Sequence, residues 1–275
     1  MRFRQHAFRA QPPGAERAAA TAHWASVVAT TFLAGAACGK VEAIRSDALA
    51  VDAYVSPCGL TSLTWVAPLA NYVAVTNAGQ VLFADATGAA LSERGFDQYP
   101  GVVQACGGAD KLAGCAIDAI AYRAPMVIHL IANERMWNVD HALVGTGDIA
   151  LSEFPAVTAG PCPASQGPCH MDALAWHDSR AQYSVFANGR LYTLDVEGKN
   201  LVAQDSLNHI AGFAQGPCAF QPQGACQLDA ATYRDAELQV VYERTLYHLD
   251  QVTFAPVAPP KPLSNWAAFR TRCGD

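Results

Sequence analysis

The chain has 275 residues, of which 51% are hydrophobic and 15% charged, a balance that supports a large folded core and excludes disorder over most of its length. Its formal charge of −6 comes from 18 basic and 24 acidic residues, and residues 38–275 hold 23 of the acidic ones against 14 basic ones. Because an acidic surface repels phosphate backbones and the sequence has no basic cluster interleaved with aromatic residues, nucleic acid is excluded as a partner.

Residues 1–37 have the pattern of an export signal. Four arginines precede an uncharged run of small and apolar residues, 25–37, which ends at Cys38. That run is about as long as the apolar region of a signal peptide and shorter than the roughly 20 residues that span a bilayer. We therefore predict a signal peptide over 1–37 and an exported protein, either secreted or held in the cell envelope.

Cys38 follows three small residues, which resembles the processing site of bacterial lipoproteins, where the cysteine is lipidated and becomes the mature N-terminus. Those proteins have leucine three residues before the cysteine, and this chain has Gly35 there. Cleavage after Ala36 would satisfy the ordinary small-x-small rule of signal peptidases. Both interpretations stay open at this point, and the lipoprotein one predicts a lipidated N-terminus and spacer over 38–56.

A unit of 55 residues occurs four times in the rest of the chain. The last three copies open with a Cys-x-x-Asp-Ala motif, and the first has Cys58 followed by Thr61-Ser62. Each copy closes on an aspartate, and these recur at a constant interval of 55 residues: Asp85, Asp140, Asp195 and Asp250. Such a repeat predicts an array of equivalent structural units.

Each unit has the pattern of four strands. A short apolar run follows the cysteine, a second run such as 126–131 or 238–242 is rich in β-formers, and a tight turn such as Asn188-Gly189 leads to a third. A further turn such as 197–200 leads to a fourth strand, which we expect to end at the next cysteine. Four strands in this length match one propeller blade, and a closed ring leaves no exposed sheet edge. The predicted fold is all-β, a four-bladed β-propeller of 55-residue repeats over 57–275.

The cysteines predict a disulfide at each blade junction. Cys58 and Cys273 occupy the second and first positions of such a pair at opposite ends of the propeller, so we predict a bridge between them that closes the ring. Eight cysteines are then paired in an oxidising compartment, and Cys38 is left over, which favours lipidation and a membrane anchor over a free thiol. The remaining predicted bridges join neighbouring cysteines and are Cys106–Cys115, Cys162–Cys169 and Cys218–Cys226.

The repeat resembles the hemopexin-type four-bladed propeller. Its units open with Asp118-Ala119, Asp172-Ala173 and Asp229-Ala230, pass through an aromatic residue and a basic one, and close on an aromatic-containing strand. The chain departs from that family in having a cysteine pair at every junction, where one bridge typically closes the ring. Thr61-Ser62 in the first unit is a second departure.

The resemblance implies a central channel that is lined by the first strand of each blade and holds ions such as calcium, largely on backbone oxygens. Thr61, Asp118, Asp172 and Asp229 would form a ring at one mouth of this channel, with the three aspartates as metal ligands, because oxygen donors suit calcium or magnesium. The alternative is that these aspartates cap turns by accepting hydrogen bonds from backbone N–H groups. No cofactor is required for the fold.

Residues that differ between the units are the other candidates for a site. His170 and His177 stand in the third unit where the others have different residues, and we predict that they belong to the same ligand or ion site at the channel mouth. An aromatic residue recurs in all four units, which predicts packing between blades, with ligand stacking as the alternative. These aromatic residues are Trp65, Tyr122, Trp176 and Tyr233.

The sequence has no nucleophile elbow, phosphate-binding glycine loop or His-Glu-x-x-His motif. We therefore predict a binding module of the cell envelope, lipid-anchored through Cys38, for an extracellular or periplasmic ligand of unknown class: protein, glycan, metal or small molecule. The alternative is an extracellular propeller enzyme, a hydrolase or lyase, with its site at the channel mouth.

Overall fold

The computed structural model describes residues 56–273, and the predicted signal peptide and Cys38 lie outside them. Four antiparallel sheets of four strands each account for most of this part of the chain, which confirms the four-bladed propeller. Blades 1 and 2 contain β1 (Leu60–Val66), β2 (Asn71–Thr76), β3 (Gln80–Asp85), β4 (Ala90–Gly95), β5 (Ala119–Arg123), β6 (Val127–Ala132), β7 (Arg135–Val139) and β8 (Gly145–Ala150). Blades 3 and 4 contain β9 (Ala173–His177), β10 (Gln182–Ala187), β11 (Arg190–Asp195), β12 (Leu201–Ser206), β13 (Ala230–Arg234), β14 (Glu237–Tyr242), β15 (Thr245–Asp250) and β16 (Pro256–Pro262).

The turns within each blade follow from local sequence. Asn188 and Gly189 both have positive φ, 53° and 68°, and join β10 to β11 as a two-residue turn between Ala187 and Arg190. The closing aspartates fix the next turn with their carboxylates. Asp140 Oδ1, for example, accepts hydrogen bonds from the backbone N–H groups of Ala142 and Val144 at 2.8 and 2.9 Å.

The prediction that the fourth strand runs to the next cysteine is wrong. In every blade the fourth strand ends earlier and is followed by a one-turn 3₁₀ helix, and then by a short α-helix that ends at or near the cysteine. Such short helices have too few residues for an apolar periodicity to be visible in the sequence. The α-helices are α1 (Pro100–Ala105), α2 (Pro155–Ala159), α3 (Ala211–Ala214) and α4 (Arg270–Cys273).

The core lies between blades rather than within them. Four clusters of buried apolar residues correspond to the four interfaces, and each combines side chains from two neighbouring blades. Val73 and Val75 of blade 1, for example, pack with Ile120 and Ile128 of blade 2. Because one sheet face of each blade covers the next, the apolar surface of all four sheets is buried only when the ring is closed.

All four predicted disulfides are present, so the cysteine pairing is confirmed. Cys58 and Cys273, 215 residues apart, join blade 4 to blade 1 with their Cα atoms at 4.2 Å. Two further contacts reinforce this closure: Arg272 pairs with Glu93 of blade 1, and the Ala268 N–H donates to the Gly88 carbonyl at 3.1 Å. The other bridges are Cys106–Cys115, Cys162–Cys169 and Cys218–Cys226. No helix in residues 56–273 is long and apolar enough to cross a bilayer.

Candidate functional site

The first strands of the four blades, β1, β5, β9 and β13, surround the axis of the propeller, each in contact with the next around the ring. Small residues in these strands allow the close approach, and three hydroxyl groups tie strands together. Ser62 and Thr64 accept hydrogen bonds from the backbone N–H groups of Ile120 and Tyr122, at 2.6 and 2.7 Å. Thr232 accepts one from the Trp65 N–H at 2.8 Å. The first strands are therefore held close together around the axis.

The carboxylate mouth is the end of the channel where these strands begin, and it contains Asp118, Asp172 and Asp229. Asp229 is buried, and the others are mostly buried. His170, from the loop before β9, places Nδ1 3.9 Å from Asp118 Oδ1. The structure thus brings His170 to this mouth, in contact with a predicted site residue from another blade.

Burial governs the electrostatics of the carboxylate mouth. It raises the pKa of Asp118 to about 6, although the nearby His170 opposes the shift. The pKa of Asp172 rises to about 7, because of burial first and of repulsion from the Asp229 carboxylate second. Asp172 Oδ2 is buried and accepts no hydrogen bond within residues 56–273. A cation between Asp172 and Asp229 would lower the cost of ionising them.

Thr61 and His177 are the other two predicted site residues, and of these only His177 lies away from the carboxylate mouth. Thr61 donates a hydrogen bond to the Val75 carbonyl within its own blade, at 3.3 Å. His177 was predicted at the same mouth as His170, and this prediction is wrong. It ends β9, five residues beyond Asp172, and therefore lies toward the opposite end of the channel, 3% exposed and with its ring centroid 4.5 Å from that of Tyr233.

Neither mouth gathers a set of metal-binding side chains. Within the described range 56–273, no three His, Cys, Asp or Glu side chains are grouped so as to hold a metal ion. The Asp172 carboxylate also does not cap its own turn. It accepts a hydrogen bond from the backbone N–H of Leu228 in the next blade, which partly offsets the rise in its pKa. Calcium on backbone oxygens, as the hemopexin resemblance implies, remains a prediction.

The aromatic mouth is the other end of the channel, where the first strands end. Trp65, Tyr122, Trp176 and Tyr233, one from each blade, line an open cavity of 660 Å³ there. Asp178, Ser179, Asp235 and Gln251 supply polar groups to the same cavity. The recurring aromatic position was recognisable in the sequence, but the cavity depends on the short loops that follow each strand.

The predicted packing role of the aromatic residues is confirmed, because two of them bind arginines of neighbouring blades. The guanidinium of Arg234 lies 4.4 Å from the Trp65 ring centroid, and that of Arg123 lies 5.0 Å from the Trp176 ring centroid. Tyr233 is half-buried, and its hydroxyl lies 2.9 Å from Ser184 Oγ. Tyr122 is half-buried as well, and its hydroxyl donates to the Pro125 carbonyl at 3.1 Å.

Solved structures that share this architecture include seed proteins and a lectin of plants, and one of them is described as a hemopexin-fold protein. A hemopexin-fold protein from cow pea superposes with a TM-score of 0.61 at 11% identity, over 78% of this chain and 97% of the other. A plant lectin with two metal-binding sites from Cicer arietinum gives 0.59 at 12% identity, over 77% and 97%. A seed albumin from Lathyrus sativus gives 0.59 at 10% identity, over 79% and 98%.

Identities this low establish the fold and nothing further, and the hemopexin-like four-bladed propeller is thereby confirmed. No protein-family model and no curated protein matches the sequence. The function must therefore be argued from the two mouths of the channel and from the surfaces between the blades.

Proposed function

We propose that this chain is an exported binding protein of the cell envelope that takes a glycan at the aromatic mouth. The observation that carries the proposal is the cavity of 660 Å³ to which all four blades contribute an aromatic side chain. A cavity of this size, with aromatic walls and a few polar groups at its edge, has the composition of a small-molecule site.

The chemistry of the cavity favours a sugar ring over a cation. Arg234 and Arg123 already lie over the rings of Trp65 and Trp176, so the electron-rich faces that would attract a ligand cation are in use. The Tyr122 ring, over which no arginine lies within residues 56–273, can stack on the apolar face of a sugar, and the sugar hydroxyls can donate to the carboxylates of Asp178 and Asp235. Among the structural neighbours one is described as a lectin and another as showing hemagglutination, which makes glycans the first probes.

We expect the glycan to lose affinity about tenfold when Tyr122 is replaced by alanine, because one stacking surface of roughly 0.5–1.5 kcal/mol beyond its buried area is removed. A glycan array followed by calorimetric titration of the best sugar measures this. The matched control is Phe220→Ala, which removes an aromatic ring that is 98% exposed and is not part of the cavity lining. No binding on the array, or equal affinity in Tyr122→Ala, would contradict the proposal.

A cation at the carboxylate mouth is a second candidate. The repulsion between Asp172 and Asp229 favours it, since a divalent ion would relieve the burial of two carboxylates at once. The enzyme alternative has no specific observation in its favour.

Export is supported by the cysteine pairing, since four disulfides require an oxidising compartment. Cys38 is the single cysteine of nine outside these pairs, and we propose that it carries the lipid that anchors the protein.

We expect the mature protein extracted from membranes to begin at Cys38 with a diacyl or triacyl addition and to gain eight hydrogens on reduction. Intact mass spectrometry before and after reduction measures both. Cys38→Ser should release the chain to the soluble fraction with its four disulfides retained. A mature N-terminus after Cys38, or an unmodified Cys38 thiol, would contradict the anchor while leaving the glycan proposal untouched.

A further inference from the structure

A cavity of 280 Å³ lies between blades 2 and 3, away from the axial channel, and the glycan proposal does not use it. We refer to it as the blade 2–3 cavity. Its walls are apolar and come from both sheets, with Ile131 and Met136 on one side and Leu174 and Val185 on the other. Its size is close to the lower end of ligand pockets, which run from about 300 to 1,000 Å³.

One end of the cavity is a chain of polar groups. Arg123 Nη1 donates to the Tyr183 hydroxyl at 3.2 Å, and that hydroxyl lies 2.9 Å from His129 Nε2. His129 Nδ1 lies 2.7 Å from Asn138 Oδ1. An amide oxygen only accepts, so His129 carries its proton on Nδ1 and accepts from Tyr183 at Nε2. Burial lowers the pKa of His129 to about 4, so this imidazole is neutral at physiological pH.

Arg123 is therefore the positive charge at this end of the cavity. No carboxylate within residues 56–273 forms an ion pair with Arg123. The second hydrogen bond of its guanidinium, to the Val196 carbonyl, is long at 3.5 Å. Glu197 also lines the cavity, but its carboxylate lies 2.5 Å from Lys199 Nζ. The guanidinium thus keeps donors available for an anionic group of a ligand.

The interface between blades 4 and 1 serves as an internal comparison. Arg234 takes the place of Arg123 there, and it donates to Tyr72 and to the Ala86 carbonyl at 2.8 and 2.9 Å, shorter distances than those of Arg123. Its Nε also lies 3.7 Å from Asp235 Oδ2, whereas the residue after Arg123 is Ala124. At this shared position Arg234 makes the shorter hydrogen bonds and has a carboxylate nearby, whereas Arg123 has longer hydrogen bonds and no carboxylate partner among residues 56–273.

One aromatic position differs in size between the two interfaces. Trp266 follows the 3₁₀ helix of blade 4, is 9% exposed and packs on Tyr72 with ring centroids 4.7 Å apart. Phe154 follows the 3₁₀ helix of blade 2 and lines the blade 2–3 cavity together with Tyr183. Both rings lie under a turn glycine of the next blade, so the two positions are equivalent. The smaller phenyl group leaves room that the indole fills.

We infer that the blade 2–3 cavity binds a short apolar monocarboxylate. Its carboxylate would accept hydrogen bonds from Arg123, and its hydrocarbon part would lie between the apolar faces of blades 2 and 3. A cation is disfavoured by the guanidinium, and a purely apolar ligand would leave the free donors of Arg123 without an acceptor.

Hexanoate binding to the oxidised protein at pH 7, measured by calorimetry and ligand-observed NMR, tests this inference. We expect hexan-1-ol to bind at least tenfold more weakly, because it lacks the charge that Arg123 recognises. Arg123→Gln should weaken hexanoate by a similar factor, Arg123→Lys should retain part of the affinity, and Arg234→Gln should leave it unchanged.

Phe154→Trp is the decisive variant, because it places in blade 2 the residue that the chain uses at the equivalent position of blade 4. We expect it to abolish hexanoate binding without lowering the thermal midpoint. The inference is overturned if the wild-type protein shows no hexanoate binding at 10 mM, a dissociation constant that corresponds to a binding free energy of about 3 kcal/mol. It is also overturned if hexan-1-ol binds as tightly as hexanoate, or if Phe154→Trp binds hexanoate like the wild type. None of these outcomes bears on glycan binding at the aromatic mouth.

Discussion

Replacing Cys58 and Cys273 together with alanine lowers the free energy of unfolding by roughly 5 kcal/mol, the value of the chain-entropy model for a loop of this length. The bridge spans 215 residues and holds blade 4 against blade 1. Without it the unfolded chain regains the conformational freedom of nearly the whole domain. The folded ring also loses the covalent link that prevents the first and last blades from separating.

The matched control is the double variant Cys218→Ala and Cys226→Ala. Both of these cysteines are buried like Cys58 and Cys273, but their bridge spans 8 residues, for which the same model gives about 2–3 kcal/mol. Urea unfolding of the oxidised proteins, followed by fluorescence, measures both losses. Equal losses would mean that the effect comes from the packing of the sulfur atoms rather than from closure of the ring.

The architecture could be predicted from the sequence because the repeat and the cysteines report long-range order. Aspartates at a constant interval place equivalent turns in equivalent blades, and the pairing of Cys58 with Cys273 follows from their positions in that repeat. Few single sequences contain such information, since strand pairing between distant segments normally has no local signature.

The sites could be predicted only in part. His170 and His177 are seven residues apart and differ from the residues of the other units, but β9 lies between them and carries His177 away from the carboxylate mouth. The blade 2–3 cavity depends on the difference between Phe154 and Trp266, which the repeat contains but which gains meaning only once both rings are seen in contact with the next blade. Differences between repeats indicate candidates, and packing decides what they do.

Asp172→Asn stabilises the protein at pH 8, by roughly 4 kcal/mol, since one pKa unit corresponds to about 1.4 kcal/mol. The pKa of Asp172 is about 7 in the folded protein, against 3.8 for a solvent-exposed aspartate such as that of the unfolded chain. The folded state therefore binds the proton of this carboxyl group more tightly than the unfolded state. Stability is therefore fully present below about pH 4 and decreases as the pH rises toward 7. Asparagine has no such charge to bury.

The pH profile separates this effect from an ordinary packing change. The advantage of Asp172→Asn should vanish near pH 4, where the carboxyl group is protonated in both states. Asp250→Asn is the control with the opposite sign, because hydrogen bonds from Thr253 lower the pKa of this exposed carboxylate, and its stabilisation is present above pH 4 and lost as the pH falls. Thermal midpoints from about pH 2 to about pH 8, with and without calcium, measure both variants.

Calcium distinguishes the two roles of the carboxylate mouth. If a divalent ion binds between Asp172 and Asp229, calcium should raise the thermal midpoint of the wild-type protein at pH 8 but not that of Asp172→Asn. The difference between the two midpoints should then become smaller or change sign. If calcium has no effect, the buried carboxylates have no cation to offset their repulsion, and the stabilising effect of asparagine should persist at every calcium concentration. A loss of stability in Asp172→Asn at pH 8 without calcium would contradict the raised pKa itself.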